Sequence, residues 1–138
     1  GDEGAAYTYS GITRRPLAWT PDLLALKINV ERISGAVFNS CLLNFYADGT
    51  QGMGWHSDDE RMLGRDPTIA SVSLGAARRF CFKHRVTSLK TETLLNHGSL
   101  LVMSGSTQHH WLHSLPKAAR VTHPRINLTF RLIHGPAK

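Results

Sequence analysis

Seven short strand-like runs follow a single helix, and this rhythm limits the chain to a mainly β fold. The helix is expected from Asp22 to about Ser34, with Thr20 or Asp22 as cap and Pro21 in the first turn. Leu23, Leu24, Leu26, Ile28, Val30 and Ile33 supply its broad apolar side. The runs are Val37 to Tyr46, Ile69 to Leu74, Arg79 to His84, Ser88 to Leu95, Ser99 to Met103, His110 to Leu115 and Arg125 to Ile133. Asp48-Gly49, Gly75, Asn96-His97-Gly98 and Ser104-Gly105 punctuate them as turns. Many short strands with one supporting helix predict a jelly roll, where inward positions can be polar if they bind a ligand. Repeats, low-complexity tracts and linkers are absent, and 138 residues suit one domain.

The last run carries an unusual face. In PRINLTFRLI, Ile126, Leu128 and Phe130 point one way, while Arg125, Asn127, Thr129 and Arg131 point the other. Two arginines on one side of an apolar strand are costly to bury unless an anion meets them. A dicarboxylate satisfies both, because guanidinium forks pair with carboxylates in a bidentate way. The competing expectation is a half-exposed strand with a wet, basic outer face.

His56-Ser57-Asp58 and a distant histidine in HHWLHSLP form a second signal. Two imidazoles and one carboxylate suit one triangular face of an octahedral iron site, leaving three positions open. On extended chain, residues i and i+2 project to the same side, so His56 and Asp58 can converge on one ion. By alternation His109 and Trp111 share the face of His113 whereas His110 does not, so spacing leaves His109 open as a ligand.

The motifs NFYADG (Asn44 to Gly49), GWHSDDE (Gly54 to Glu60), IASVSLGAARRFCFKHR (Ile69 to Arg85), HGSLLVMSGSTQHHWLHSLP (His97 to Pro116) and PRINLTFR (Pro124 to Arg131) occur in order. Together they resemble the AlkB family of iron(II)- and 2-oxoglutarate-dependent dioxygenases, in the branch of the animal DNA-repair paralogues. The resemblance runs from about Tyr7 to Ile133 and implies a double-stranded β-helix. It implies His56, Asp58 and His113 as iron ligands, and Asn44, Tyr46, Met53, Arg125, Asn127 and Arg131 around 2-oxoglutarate. Arg125 would take the distal carboxylate with Tyr46, and Arg131 the iron-chelating end near Asn44. Asp59 and Glu60 match acidic residues that meet a flipped nucleotide.

The implied reaction is oxidative demethylation of N-alkylated bases such as 1-methyladenine and 3-methylcytosine. It consumes Fe(II)-bound O2 and 2-oxoglutarate and releases formaldehyde, succinate and CO2. Flipping a base out of a duplex costs a few kcal/mol, least for a damaged or unpaired one. Alternatives are a related oxygenase acting on protein or lipid, or a nucleic-acid-binding module with little turnover. Relatives carry a further N-terminal lid with an aromatic that stacks on the base. This sequence begins near where that lid ends, so residues 1–138 are expected to form the dioxygenase domain without it.

Charge agrees with a polyanionic partner. The net charge is +6 and the pI about 9.8. Arg78, Arg79, Lys83, His84 and Arg85 form one basic group, and Lys117, Arg120 and His123 a second. With Phe80 and Phe82 inward, Lys83 and Arg85 alternate outward, where they can track phosphates. DNA is expected ahead of RNA, with the protein a monomer. Cys41 and Cys81 sit in apolar runs and read as small core residues rather than a disulfide or metal pair. Trp19 and Trp55 read as packing, and His84, His97, His123 and His134 as surface or turn residues. Neither a signal peptide nor a span of about twenty apolar residues appears. The expected location is cytoplasmic, beside the nucleoid in a bacterium or nuclear in a eukaryote, with no membrane attachment.

Overall fold

The computed structural model describes residues 1–135 and folds around two four-stranded antiparallel sheets. Its elements are β1 (Tyr7–Tyr9), β2 (Ile12–Arg14), α1 (Pro21–Ser34), β3 (Ser40–Tyr46) and β4 (Met53–His56). After a short 3-10 turn at Arg61–Leu63 come β5 (Ile69–Gly75), β6 (Arg78–His84), β7 (Lys90–Leu95) and β8 (Ser99–Met103). The short helix α2 (Thr107–His110), β9 (Trp111–Leu115) and β10 (Arg125–Arg131) complete the series. One sheet has the order β3-β10-β5-β8, the other β4-β9-β6-β7, and β1-β2 is a separate hairpin. Two facing antiparallel sheets with non-sequential neighbours are the jelly roll expected from the strand rhythm.

Helix α1 begins as its caps require. The Thr20 side chain accepts a hydrogen bond from the Leu23 N–H at 3.3 Å, and Pro21 opens the first turn. Gly35 ends it at φ 71, returning its N–H to the Glu31 carbonyl. Only part of the broad apolar side turns inward: Val30 is buried, with Leu23 and Leu26 packed beside it. Leu24, Ile28 and Ile33 are exposed, because a straight helix presents only about a third of its circumference to a sheet.

The helix covers one face of the first sheet, where Val30 meets Phe38, Ala70, Val72, Leu128 and Phe130. Trp19 stacks on Phe130 with ring centroids 6.3 Å apart, so this tryptophan is packing. The opposite face looks across at the second sheet. A second cluster of Ala5, Tyr7, Leu63, Ile69, Met103 and Ile133 closes one side of that interior. Every second residue of β10 therefore lines the space between the sheets.

Several boundaries move. The third strand begins at Ser40 rather than Val37, and β9 at Trp111, because residues 107–110 coil into α2. The strand β4 and the β1-β2 hairpin were not expected at all; each is three or four residues long, too short for a visible alternation. Cys41 and Cys81 are free and half-buried.

Candidate active site

The facing sheets enclose a cavity of about 430 Å³. His56 on β4 pairs in register with His113 on β9, and the pairing shifts between Met53 and His56. Such an irregularity inserts residues on one strand and re-aims the next side chain. The two imidazole rings meet edge to face with centroids 4.2 Å apart. Asp58 lies two residues past the end of β4, and its backbone N–H donates to the Gln108 side chain at 2.8 Å. Its convergence with His56 thus depends on this anchor rather than on strand alternation alone. One donor atom from each of His56, Asp58 and His113 lies within 4.8 Å of the others.

The chemistry of these donors is set by their neighbours. The His56 Nδ1–H donates to the Gly54 carbonyl at 2.8 Å, which makes Nε2 its candidate ligand atom. His113 is 4 % exposed, and its Nδ1 has no protein partner. Burial, reinforced by His56, pushes the His113 pKa down to about 4, so the ring is neutral at pH 7. Phe80 stacks on it at 5.3 Å. Asp58 receives two hydrogen bonds on Oδ2 from Arg131 of the opposite sheet, at 3.0 and 3.2 Å, and keeps Oδ1 free.

The arginine face of β10 is inside, so the alternative of a wet outer face is wrong. Arg125, Asn127, Thr129 and Arg131 are all buried and all border the cavity. Besides the Arg131 contact with Asp58, side-chain hydrogen bonds tie the other three down. Arg125 donates to Ser73 at 3.0 Å, Asn127 to Ser71 at 2.6 Å, and Thr129 to Asn127 at 2.6 Å. Arg125 also lies over the Tyr46 ring at 5.4 Å, and its Nε is buried without a partner. Burial raises the Tyr46 phenol pKa, keeping it a hydrogen-bond donor. Asn44 and Met53 also border the cavity.

Other expected residues lie away from this centre or behave differently. Arg85 is drawn to the Ser57 hydroxyl and to Asp59, whose carboxylate is 3.7 Å away. The Lys83 ammonium sits over the exposed Trp55 ring at 4.7 Å. One Glu60 carboxylate oxygen is buried without a partner. His109 points to Asp66 at 3.1 Å on the surface, since it belongs to α2 and not to β9. That removes it as a rival to His113. Arg78 leaves the basic surface group altogether and is 1 % exposed. Residues not singled out beforehand include Tyr7 and Arg14, which border the cavity from the hairpin, and Gln108 behind Asp58.

The 2OG-Fe(II) oxygenase superfamily profile matches residues 2–131. The chain belongs to this superfamily. It is 45 % identical over 141 residues to the human protein named DNA oxidative demethylase ALKBH2, covering 96 % of this chain and 54 % of that protein. The alkB homolog 3 dioxygenase of cattle is 44 % identical over 138 residues, covering 93 % of this chain and 48 % of the relative. A plant relative from Arabidopsis thaliana, also named ALKBH2, is 37 % identical over 155 residues, with 93 % and 49 % covered. These similarities place the chain among the AlkB-type members. It spans about half the length of the curated relatives it matches. A solved structure of OsALKBH1 has a TM-score of 0.60 at 20 % identity, covering 88 % of this chain and 68 % of that one, which supports the fold alone.

Members of the superfamily use iron(II), 2-oxoglutarate and O2, and the residues here fit those groups. Two imidazoles and one carboxylate oxygen are the donor set for an open iron(II) site. The His56 Nε2, the neutral buried ring of His113 and the Asp58 oxygen not engaged by Arg131 are the donor atoms these residues offer a metal. Buried Arg125, with an unsatisfied Nε, suits a carboxylate. Among the described residues no helix is long and apolar enough to cross a membrane.

Proposed function

We propose that this chain oxidatively demethylates N-alkylated bases in nucleic acid, with His56, Asp58 and His113 holding iron and the arginine face of β10 holding 2-oxoglutarate. The observation that carries the reading is the meeting of the two sheets. The His-Asp-His donors come from the β4-β9 side, and Arg131 crosses from β10 to grip the carboxylate among them. Bound there, iron(II) would supply the oxidising chemistry: one atom of O2 would enter the N–methyl C–H bond, the other would go to succinate as 2-oxoglutarate loses CO2, and the N-hydroxymethyl product would release formaldehyde.

The chain's own residues bind and orient. Arg125 and Tyr46 hold the distal carboxylate, while Arg131 and Asn44 face the end nearest the metal. Asn127 and Met53 line the channel between. Phe80 and the walls around His113 keep bulk water from the donors, which strengthens every charge interaction inside. Supporting a nucleic-acid substrate are the net charge of +6 and the outward Lys83 and Arg85 beside the metal donors. Asp59 and Glu60, immediately after Asp58, would meet the exocyclic nitrogen of a flipped base. The similarity to proteins named DNA oxidative demethylase favours DNA over RNA. We read the protein as a monomer acting beside DNA, at the nucleoid or in the nucleus.

The test is formaldehyde release from oligonucleotides bearing 1-methyladenine or 3-methylcytosine, with iron(II) and 2-oxoglutarate each omitted in turn. Release that needs both supports the reading. Release from methylated peptides but not from oligonucleotides would replace it with a protein-directed oxygenase.

A further inference from the structure

We infer that Arg78 is a positioning residue for the distal carboxylate of 2-oxoglutarate, acting from behind the cavity through the ring of Tyr46. The inference rests on the reading of the cavity as a 2-oxoglutarate site. Arg78 stands on β6 and does not border the cavity, yet its guanidinium lies over the Tyr46 ring at 5.8 Å. Arg125 lies over the same ring at 5.4 Å. Two cations therefore flank one buried aromatic whose hydroxyl is a candidate ligand for the carboxylate.

The surroundings of Arg78 are unusual for a charge that is 1 % exposed. Among the described residues it has no carboxylate partner. Its acceptors are backbone carbonyls: Gln51 at 2.7 Å, Pro116 at 2.9 Å and Asp48 at 3.3 Å. Its Nε is buried with no partner. Carbonyl dipoles and a ring face offset part of the desolvation cost but leave the net charge in place. Arg125 is in the same condition, and the two guanidiniums repel, Arg78 being one of the groups that lower the Arg125 pKa after burial. An anion arriving between Tyr46 and Arg125 relieves both.

Arg78 also ties two chain segments together beside that point. It joins the loop after β3, through Asp48 and Gln51, to Pro116 at the end of β9. The loop has no slack. A Cβ on Gly49 would stand 1.7 Å from the Ala118 carbonyl oxygen. Tyr46, the last residue of β3, is thus held from behind by a cation bolted to both segments.

The experiment compares two ligands by calorimetry, anaerobically, on the manganese-loaded chain. 2-Oxoglutarate carries the distal carboxylate, and 2-oxopentanoate has the same carbon chain without it. Arg78→Met should weaken 2-oxoglutarate binding on the order of tenfold. It should leave 2-oxopentanoate and manganese affinity unchanged. An equal loss for both acids would reduce Arg78 to packing and overturn the inference, as would an unchanged 2-oxoglutarate affinity. Should Arg78→Met fail to fold, Arg78→Lys answers the same question. It keeps the charge and loses the fork, so a smaller loss confined to 2-oxoglutarate is expected, and a loss shared by both acids overturns the inference. Arg125→Met separates the two levels. If it too leaves 2-oxoglutarate binding intact, the cavity is not the 2-oxoglutarate site; if it alone weakens binding, only the role of Arg78 falls.

Discussion

Arg131 places two hydrogen bonds, from Nε and Nη2, on a single oxygen of Asp58, joining the two sheets at the donor cluster. Both side chains are at most 10 % exposed, so the pair is protected from solvent screening. Breaking such a pair from one side leaves an uncompensated buried charge, typically at a cost of ~3–5 kcal/mol. Asp58→Ala should therefore abolish metal-dependent turnover and also lower apo stability, by stranding Arg131. Asp58→Asn, which keeps an acceptor oxygen, should lose less stability while still losing turnover. Urea denaturation of the metal-free variants checks this, and equal midpoints for wild type and Asp58→Ala would refute it.

Arg125→Ala should cost ~2–5 kcal/mol of 2-oxoglutarate binding, on the order of a hundredfold or more in affinity. The carboxylate would then face a poorly solvated cavity with only Tyr46 to meet it. Arg125→Lys should restore part, since a point charge cannot reproduce the fork. Titrating 2-oxoglutarate by the charge-transfer absorbance of the iron complex measures both.

His109 and His113 should separate cleanly. His113→Ala removes a buried donor and should abolish stoichiometric metal binding. His109→Ala breaks only an exposed contact with Asp66, in a class worth ~0–1 kcal/mol, and should leave metal binding intact. Metal content after gel filtration decides, and loss of metal in His109→Ala alone would reverse the ligand assignment.

The Cys41 thiol is pushed up to about 11, chiefly by burial. Only the thiolate alkylates, so at pH 8 its labelling should run about a hundredfold slower than that of an ordinary exposed cysteine. Because the folded pKa lies above the unfolded one, folding loses stability as pH rises from the unfolded value through about 11. Mass spectrometry of iodoacetamide labelling across pH 7 to 10 follows the first effect. Rapid labelling of the native protein at pH 8 would contradict it.

The β10 strand was legible because its two faces differ in kind: Leu128 and Phe130 pack under α1, and Arg125 and Arg131 need an anion. Helix α1 was legible from Thr20, Pro21 and its apolar residues, though its inward stripe was narrower than its leucines and isoleucines suggested. Arg78 was misread by grouping it with neighbouring charges. Alternation with the inward Phe80 and Phe82 already places it inside, where backbone carbonyls and the Tyr46 ring meet it. The run HHWLH looked continuous, but residues 107–110 coil into α2, from which buried Gln108 meets the Asp58 backbone. The hairpin that brings Tyr7 and Arg14 to the cavity has three-residue strands, so only tertiary packing reveals it.

If the His56-Asp58-His113 donors and the β10 arginines form one oxidising site, turnover of the cosubstrate and of the methylated base must run together. The most direct measurement quantifies succinate and formaldehyde from the same reaction on a 1-methyladenine oligonucleotide. Formaldehyde should appear only where succinate also forms, with both products gone in His113→Ala. Formaldehyde appearing without 2-oxoglutarate, or surviving undiminished in His113→Ala, would contradict it.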